Sequence, residues 1–265
     1  VFVHLNVHSN FSILAGTRPV EELVAAARLA GMPALALTDT NGVYAAVEFQ
    51  MACRAADVHP VFGTELRHDG RRAVLLARNA SGWAEICRLV TRRHLDDDFH
   101  LGEALAGTSE HVFVLCGDAG LLAGLRGRAH VYVEIVCHHD IESRRRKYRL
   151  LDVAERLRLP VVATNNVHML RQDEHRIHRV LCAIRTNRTI GTLPPDEVEP
   201  EECCLRSPGE MAALFEDVPQ AIENTAHIAW SCQHSIPTGH PRPPHFAVPE
   251  AAVLQRTAHR LAWRR

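Results

Sequence analysis

No apolar run in this chain is long enough to cross a bilayer, and its start lacks the basic residues, apolar stretch and small-residue cleavage site of a secretory signal. The cytoplasm is therefore the expected compartment, with no membrane partner. Charge of one sign is also missing. Thirty basic residues face thirty-one acidic ones, for a net charge of -1, so the overall basic footprint of a free-standing nucleic-acid binder is absent. The clusters Arg144–Lys147, Arg92–Arg93 and the pair Arg126 and Arg128 read as solvated helix faces or loops. There is no Cys-x-x-Cys pair among the eight cysteines, which excludes a zinc ribbon or a thioredoxin-type motif. Cys53, Cys87, Cys182 and Cys232 sit in apolar surroundings and read as small buried hydrophobes in a reducing compartment. Neither Gly-x-Gly-x-x-Gly nor a P-loop occurs, so a nucleotide-binding sheet has no support.

What is present suits a globular protein: 265 residues, 46% hydrophobic and 23% charged, enough for one large domain or one domain with an appendage. A start at Val1 and a stop at Ala262-Trp-Arg-Arg265 read as a piece of a longer chain. Short apolar runs at 34–38, 60–66, 73–77, 111–115, 131–136 and 160–164 predict buried strands. They alternate with helical patterns at 19–31, 42–56, 82–93, 121–125 and 143–158. With the opening segment this makes roughly seven strands, expected to be parallel, in an open doubly wound sheet or a closed barrel. Residues 173–186 read as an amphipathic helix striped by Ile177, Val180, Leu181 and Ile184. An acidic, proline-rich stretch follows at 193–202 and reads as a loop or linker. Ser207 with Glu210 forms a capping-box pattern and Asp217 with Gln220 a second, predicting two short helices that end near Ser231. The proline-dense segment 236–249 reads as an extended connector.

Polar chemistry gathers at the strand ends. His4, Asn6 and His8 alternate along the opening segment, so a regular strand would turn all three to one face. They are polar strand residues with local hydrogen bonds, or they line a metal site, for which imidazole is the commonest donor. Asp39, Glu65, Asp118, Asn166 and His168 follow or lie within later strands, at the carboxyl edge where α/β folds build their sites. The eighteen histidines strengthen the search for ligands.

Four segments together carry a family resemblance: Val3-His-Leu-Asn-Val-His-Ser9, Ala36-Leu-Thr-Asp39, Gly63-Thr-Glu65 and Val162-Ala-Thr-Asn-Asn-Val-His168. They resemble the PHP (polymerase and histidinol phosphatase) domain at the N-terminus of bacterial family C DNA polymerase III alpha subunits. Leu205–Met211, Ile222–Ala226 and Pro244–Pro249 resemble the segment that joins it to the polymerase. Ser9-Asn-Phe-Ser12 followed by Pro19–Leu23 leans towards the error-prone branch. The resemblance implies a distorted (β/α)7 barrel with a short helical C-terminal extension. On this reading 1–190 is the barrel, 191–249 a linker with short helices leading towards a polymerase core, and 250–265 the start of a further helical segment. The implied partners are that core in the same or a longer chain, DNA through it, and a replisome or proofreading subunit.

Members with intact chemistry hold clustered metal ions and hydrolyse phosphoesters, because such ions activate water and clamp phosphoryl charge. By this resemblance His8, Glu65 and His168 match ligand positions, and Asp118, where a cysteine is common, is the fourth candidate. Departures are more numerous: Asn6 and Thr40 replace histidines, Ala15 an acid, Arg72 a histidine and Asn166 an aspartate. An amide offers only a neutral carbonyl, alanine offers nothing, and arginine brings a cation into a cation site. The remaining set allows one Zn or Mn ion but not a cluster. His138 and His139 are further donors or polar loop residues. The expected role is a degenerate domain with a structural and docking task in replication or repair synthesis. The alternative is an active phosphoesterase or 3′–5′ exonuclease on a reduced site. An unrelated amidohydrolase-like barrel enzyme is disfavoured by the lack of a carboxylated-lysine candidate.

Overall fold

Pro19 starts the first helix, α1 (Val20–Leu29), where its missing N–H costs nothing, and Glu21 and Glu22 favour the positive end of the helix dipole. In this computed structural model, which describes residues 1–239, Val20, Leu23, Val24 and Ala27 form the buried stripe of α1. Next come β1 (Ala34–Leu37), α2 (Ala46–Ala56), β2 (His59–His68) and β3 (Arg71–Ala77). Then follow α3 (Ala80–Leu95), α4 (Leu101–Ala106), β4 (Val112–Cys116), α5 (Ala119–Ala123), β5 (Val131–Val136), α6 (Ile141–Leu157) and β6 (Val161–Thr164). Three helices complete the described residues: α7 (His175–Arg185), α8 (Pro208–Leu214) and α9 (Pro219–Ser231). The segment 250–265 expected to begin a further helix, and the last part of the 236–249 connector, lie outside the described residues.

The strands form one mixed six-stranded sheet in the order β1-β2-β3-β4-β5-β6. The expectation of an all-parallel sheet fails at β3, which runs antiparallel to both β2 and β4. The cause is local. Asp69 and Gly70 both adopt positive φ, at 49° and 72°, and make a two-residue hairpin turn between paired His68 and Arg71. A parallel return would need a crossover of a dozen residues or so.

The sheet curls until its two edges share the N-terminal segment. Ala36 N donates to His4 O and Thr38 N to Val7 O on the β1 side, while Val167 N donates to Asn6 O and His8 N to Val167 O just past β6. Three steps along this segment match two along β1, so the segment bulges between residues 4 and 7. The bulge corrects the single polar face expected for His4, Asn6 and His8. Val3 and Leu5 join the inner cluster of Ala36, Val74, Leu115 and Val162, whereas Val7 joins the outer layer beneath α1 and α2. His4 points away from the site, with Nε2 2.9 Å from Arg206 O.

α9 packs against the barrel. Ile228, Ala229 and Cys232 join the inner cluster, and Thr225 Oγ1 accepts from Val3 N at 3.1 Å. Ser207 and Glu210 form the predicted capping box on α8. The second predicted box does not form. Asp217 instead accepts from Lys147 Nζ and from Tyr148 Oη, tying the α8–α9 turn to α6. On α7 the buried residues are His178, Cys182 and Ala183, and of the apolar stripe expected from the sequence Ile177, Val180 and Ile184 face outward while Leu181 is half-buried. Among the described residues no helix is long and apolar enough to cross a membrane.

Candidate functional site

Asp39 sits just past β1 and organises the loop that carries His8. Its carboxyl accepts from Ser9 N at 2.7 Å, Ser9 Oγ at 2.8 Å and Ser12 Oγ at 2.7 Å. Ser12 Oγ lies 3.1 Å from His8 Nδ1 and Thr40 Oγ1 3.3 Å from it, so one ring nitrogen is fixed and Nε2 is aimed inward. Gly16 closes the loop where no side chain fits, since a Cβ there would stand 1.9 Å from Ser9 O.

Barrel closure brings three of the four proposed ligands together. His8 Nε2 lies 3.7 Å from Glu65 Oε2, and the His8 and His168 rings stack at 4.0 Å and 9°. Asp118 does not join them. Its Oδ1 accepts from Leu121 N at 2.9 Å as the cap of α5, and its Oδ2 lies 3.8 Å from Arg71 Nε on the rim. His138 is also apart, with Nε2 4.0 Å from Cys203 Sγ.

Two guanidinium groups occupy the space between the carboxyl groups. Arg72 Nη1 is 2.9 Å from Glu65 Oε2 and 3.0 Å from Glu134 Oε2. Arg67 Nε pairs with Glu65 Oε1, and Arg67 Nη2 lies 2.8 Å from Glu199 Oε1. Asn6 and Asn166 extend the network. Asn6 Nδ2 donates to Glu134 Oε1 at 3.0 Å and Asn166 Oδ1 at 3.2 Å, and Asn166 Nδ2 donates to Glu199 Oε2 at 2.9 Å. Thr164 Oγ1 gives Glu134 another bond at 2.7 Å.

Burial alone would raise the Glu65 carboxyl, but Arg67 and Arg72 beside it prevail and hold it at about 2. Glu199 is lowered by the same contest between burial and Arg67. His8 and His168 are both pushed down, chiefly by burial, and the nearby arginines add to the effect. The pair is therefore neutral at pH 7.

Arg67, Glu134 and Glu199 are the members that the sequence reading passed over. Glu134 had the signal that exposed Glu65, an acid inside an apolar strand pattern. Glu199 had none. It lies in the stretch read as a linker, which crosses the barrel mouth: His168 N donates to Cys203 O and Leu205 N to Met169 O. A cavity of about 240 Å³ opens above the network, lined by Ala15, Thr40, Arg67, His168, His178 and Glu199 among others.

Against known proteins, the PHP domain family matches residues 4–155. The chain belongs to the PHP domain family. An error-prone DNA polymerase from Symbiobacterium thermophilum is 31% identical over 95% of this chain and 27% of its own length. A DNA polymerase III subunit alpha from Treponema pallidum is 29% identical over 94% of this chain and 24% of its own. The chain thus spans about a quarter of the length of these curated relatives. A solved structure from Bifidobacterium adolescentis, proposed to be a metal-dependent phosphoesterase, superposes with a TM-score of 0.42 at 14% identity, covering 63% of this chain and 87% of that one.

In this PHP domain the carboxylates that line the network are paired with arginine. Both oxygens of Glu65 are engaged by arginine, and Arg72 also holds Glu134. Among the described residues no group of three or more His, Cys, Asp and Glu is disposed to hold a metal ion. A guanidinium within hydrogen-bond distance of each carboxyl group opposes a second cation there.

Proposed function

We propose that this PHP domain is the N-terminal part of a DNA polymerase III alpha-type enzyme of replication or repair synthesis, and that its own pocket is a structural brace with no hydrolytic task. The placement of Arg67 and Arg72 carries this reading. Fixed guanidinium groups supply the positive charge that metal ions would otherwise bring, and they tie β2, β3, β5 and the 199 segment together. The similarity to replicative and error-prone polymerases supports the wider context, with the polymerase core in a longer chain and DNA bound through it.

One observation favours a second reading. His8 Nε2 and both ring nitrogens of His168 are buried without a hydrogen-bond partner among the described residues. A single Zn or Mn ion on His8 and His168, with Glu65 turned away from its arginines and Asp118 brought in from the rim, would make a reduced phosphoesterase or 3′–5′ exonuclease site.

Metal analysis of the purified protein separates the two. The brace predicts no stoichiometric zinc, manganese or iron, a melting temperature unmoved by chelator, and no nucleotide release from a single-stranded oligonucleotide supplied with Mn. A bound ion, together with nucleotide release that stops in His168→Ala, would overturn it.

A further inference from the structure

α7 is unusual among the helices in burying a histidine and a cysteine while showing its aliphatic residues to solvent. Ile177 is 44% exposed, Val180 41% and Ile184 59%, and the turn after the helix adds Ile190 at 46%. Positions 177, 180 and 184 stand one above another on a helix, so the four residues form one stripe and not scattered singletons. A groove of about 410 Å³ runs along it, lined by Arg176, Ile177, Arg179, Val180 and Ile190. Arg179 Nη2 donates to Ile190 O at 3.2 Å and fixes the turn against the helix.

The borders of the stripe are basic. Arg171, Arg176, Arg179, Arg185 and Arg188 are all exposed around it. Arg185 is paired with Glu197 and Arg171 with Asp173, whereas Arg176 and Arg188 make no ion pair among the described residues. An aliphatic stripe between arginines is complementary to a helix with aliphatic anchors at the same spacing and acidic flanks.

We propose that the outward face of α7 docks an acidic amphipathic helical segment of a partner protein. Ile177, Val180, Ile184 and Ile190 receive its aliphatic anchors, and Arg176, Arg179 and Arg188 pair with its carboxylates. The surface gives a location to the docking task that the family resemblance implies for a polymerase-associated domain. It rests on that reading only for its biological setting, because the stripe lies on the outer face of α7 and its test does not involve metal or hydrolysis.

The test uses a fluorescein-labelled peptide of about four helical turns with leucines at helical spacing and glutamates elsewhere. A second peptide has lysine for every glutamate. Fluorescence anisotropy is expected to give the glutamate peptide a Kd of the order of micromolar, weakened by added salt, and the lysine peptide no measurable binding. Ile177→Asp with Ile184→Asp should weaken binding at least about tenfold, and Arg176→Glu with Arg188→Glu should do the same while keeping the apolar stripe and the Arg179–Ile190 contact. Both pairs lie on the surface, and circular dichroism checks that each variant is folded. Failure of the glutamate peptide to bind, equal binding of both peptides, or indifference to both variant pairs overturns the proposal. Sedimentation with phosphatidylserine vesicles, in the absence of peptide binding, would instead assign the face to an anionic lipid surface.

Discussion

At the scale of single residues the site is decided by one substitution in β3. Arg72 reaches two carboxyl groups with one nitrogen, 2.9 Å from Glu65 and 3.0 Å from Glu134. Removing it leaves Glu134 buried without its cation and Glu65 with Arg67 alone, so Arg72→Ala is expected to cost about 3–5 kcal/mol in urea unfolding at neutral pH. If the brace is only electrostatic, Arg72→Met combined with Glu65→Gln and Glu134→Gln should recover most of that loss, since desolvation of the ions disappears with them. A loss below about 0.5 kcal/mol for Arg72→Ala would mean that water or neighbouring donors replace the guanidinium. Arg72 was legible as a misplaced cation because it stands at a position marked by family resemblance. Arg67 was not legible, since its partner Glu199 lies 132 residues away and meets it only when the chain crosses the mouth. Pairings at such separation leave no periodic trace in sequence.

At the scale of elements, helices and strands were readable because burial imposes their periods, but direction and register depended on a few residues. The Asp69-Gly70 turn reverses β3, and the bulge after His4 shifts which side chains enter the barrel. A two-fold alternation cannot reveal an inserted step, so His4 was placed on the same face as Asn6 and His8. α9 raises a related point. On sequence it reads as a helix of the extension, yet Ile228 is fully buried beside Val3 and Leu5 in the inner cluster. Ile228→Ala should therefore behave as a core truncation and cost about 3 kcal/mol in chemical denaturation. An extension that merely lies on the barrel would give a loss under about 1 kcal/mol at that position.

At the scale of the whole molecule, the excess of histidine becomes a statement about pH. Burial lowers His4 from 6.5 to about 4, and it also lowers His8, His138, His168 and His178. Each is lower in the folded state than in the unfolded chain, so below 6.5 the unfolded chain takes up protons that the fold refuses. Their contribution is complete above 6.5 and is lost as pH falls. For His4 alone, lowered from 6.5 to about 4, the loss is on the order of 3 kcal/mol by pH 4. Glu65, held at about 2 by its arginines against burial, acts in a lower window, stabilising above its ordinary value of 4.5 and failing as pH drops towards 2. Acid unfolding should thus proceed in two stages. Melting temperature is expected to be level from about pH 8 to pH 7, to decline from about pH 6.5 through the histidine window, and to fall further below about pH 4.5. Calorimetry across this range reads both stages, and His4→Gln, which cannot titrate, should flatten part of the first while leaving the second in place. A profile level down to about pH 5 would show that the buried imidazoles find acidic partners on protonation, and the charge balance of the site would then need a different account.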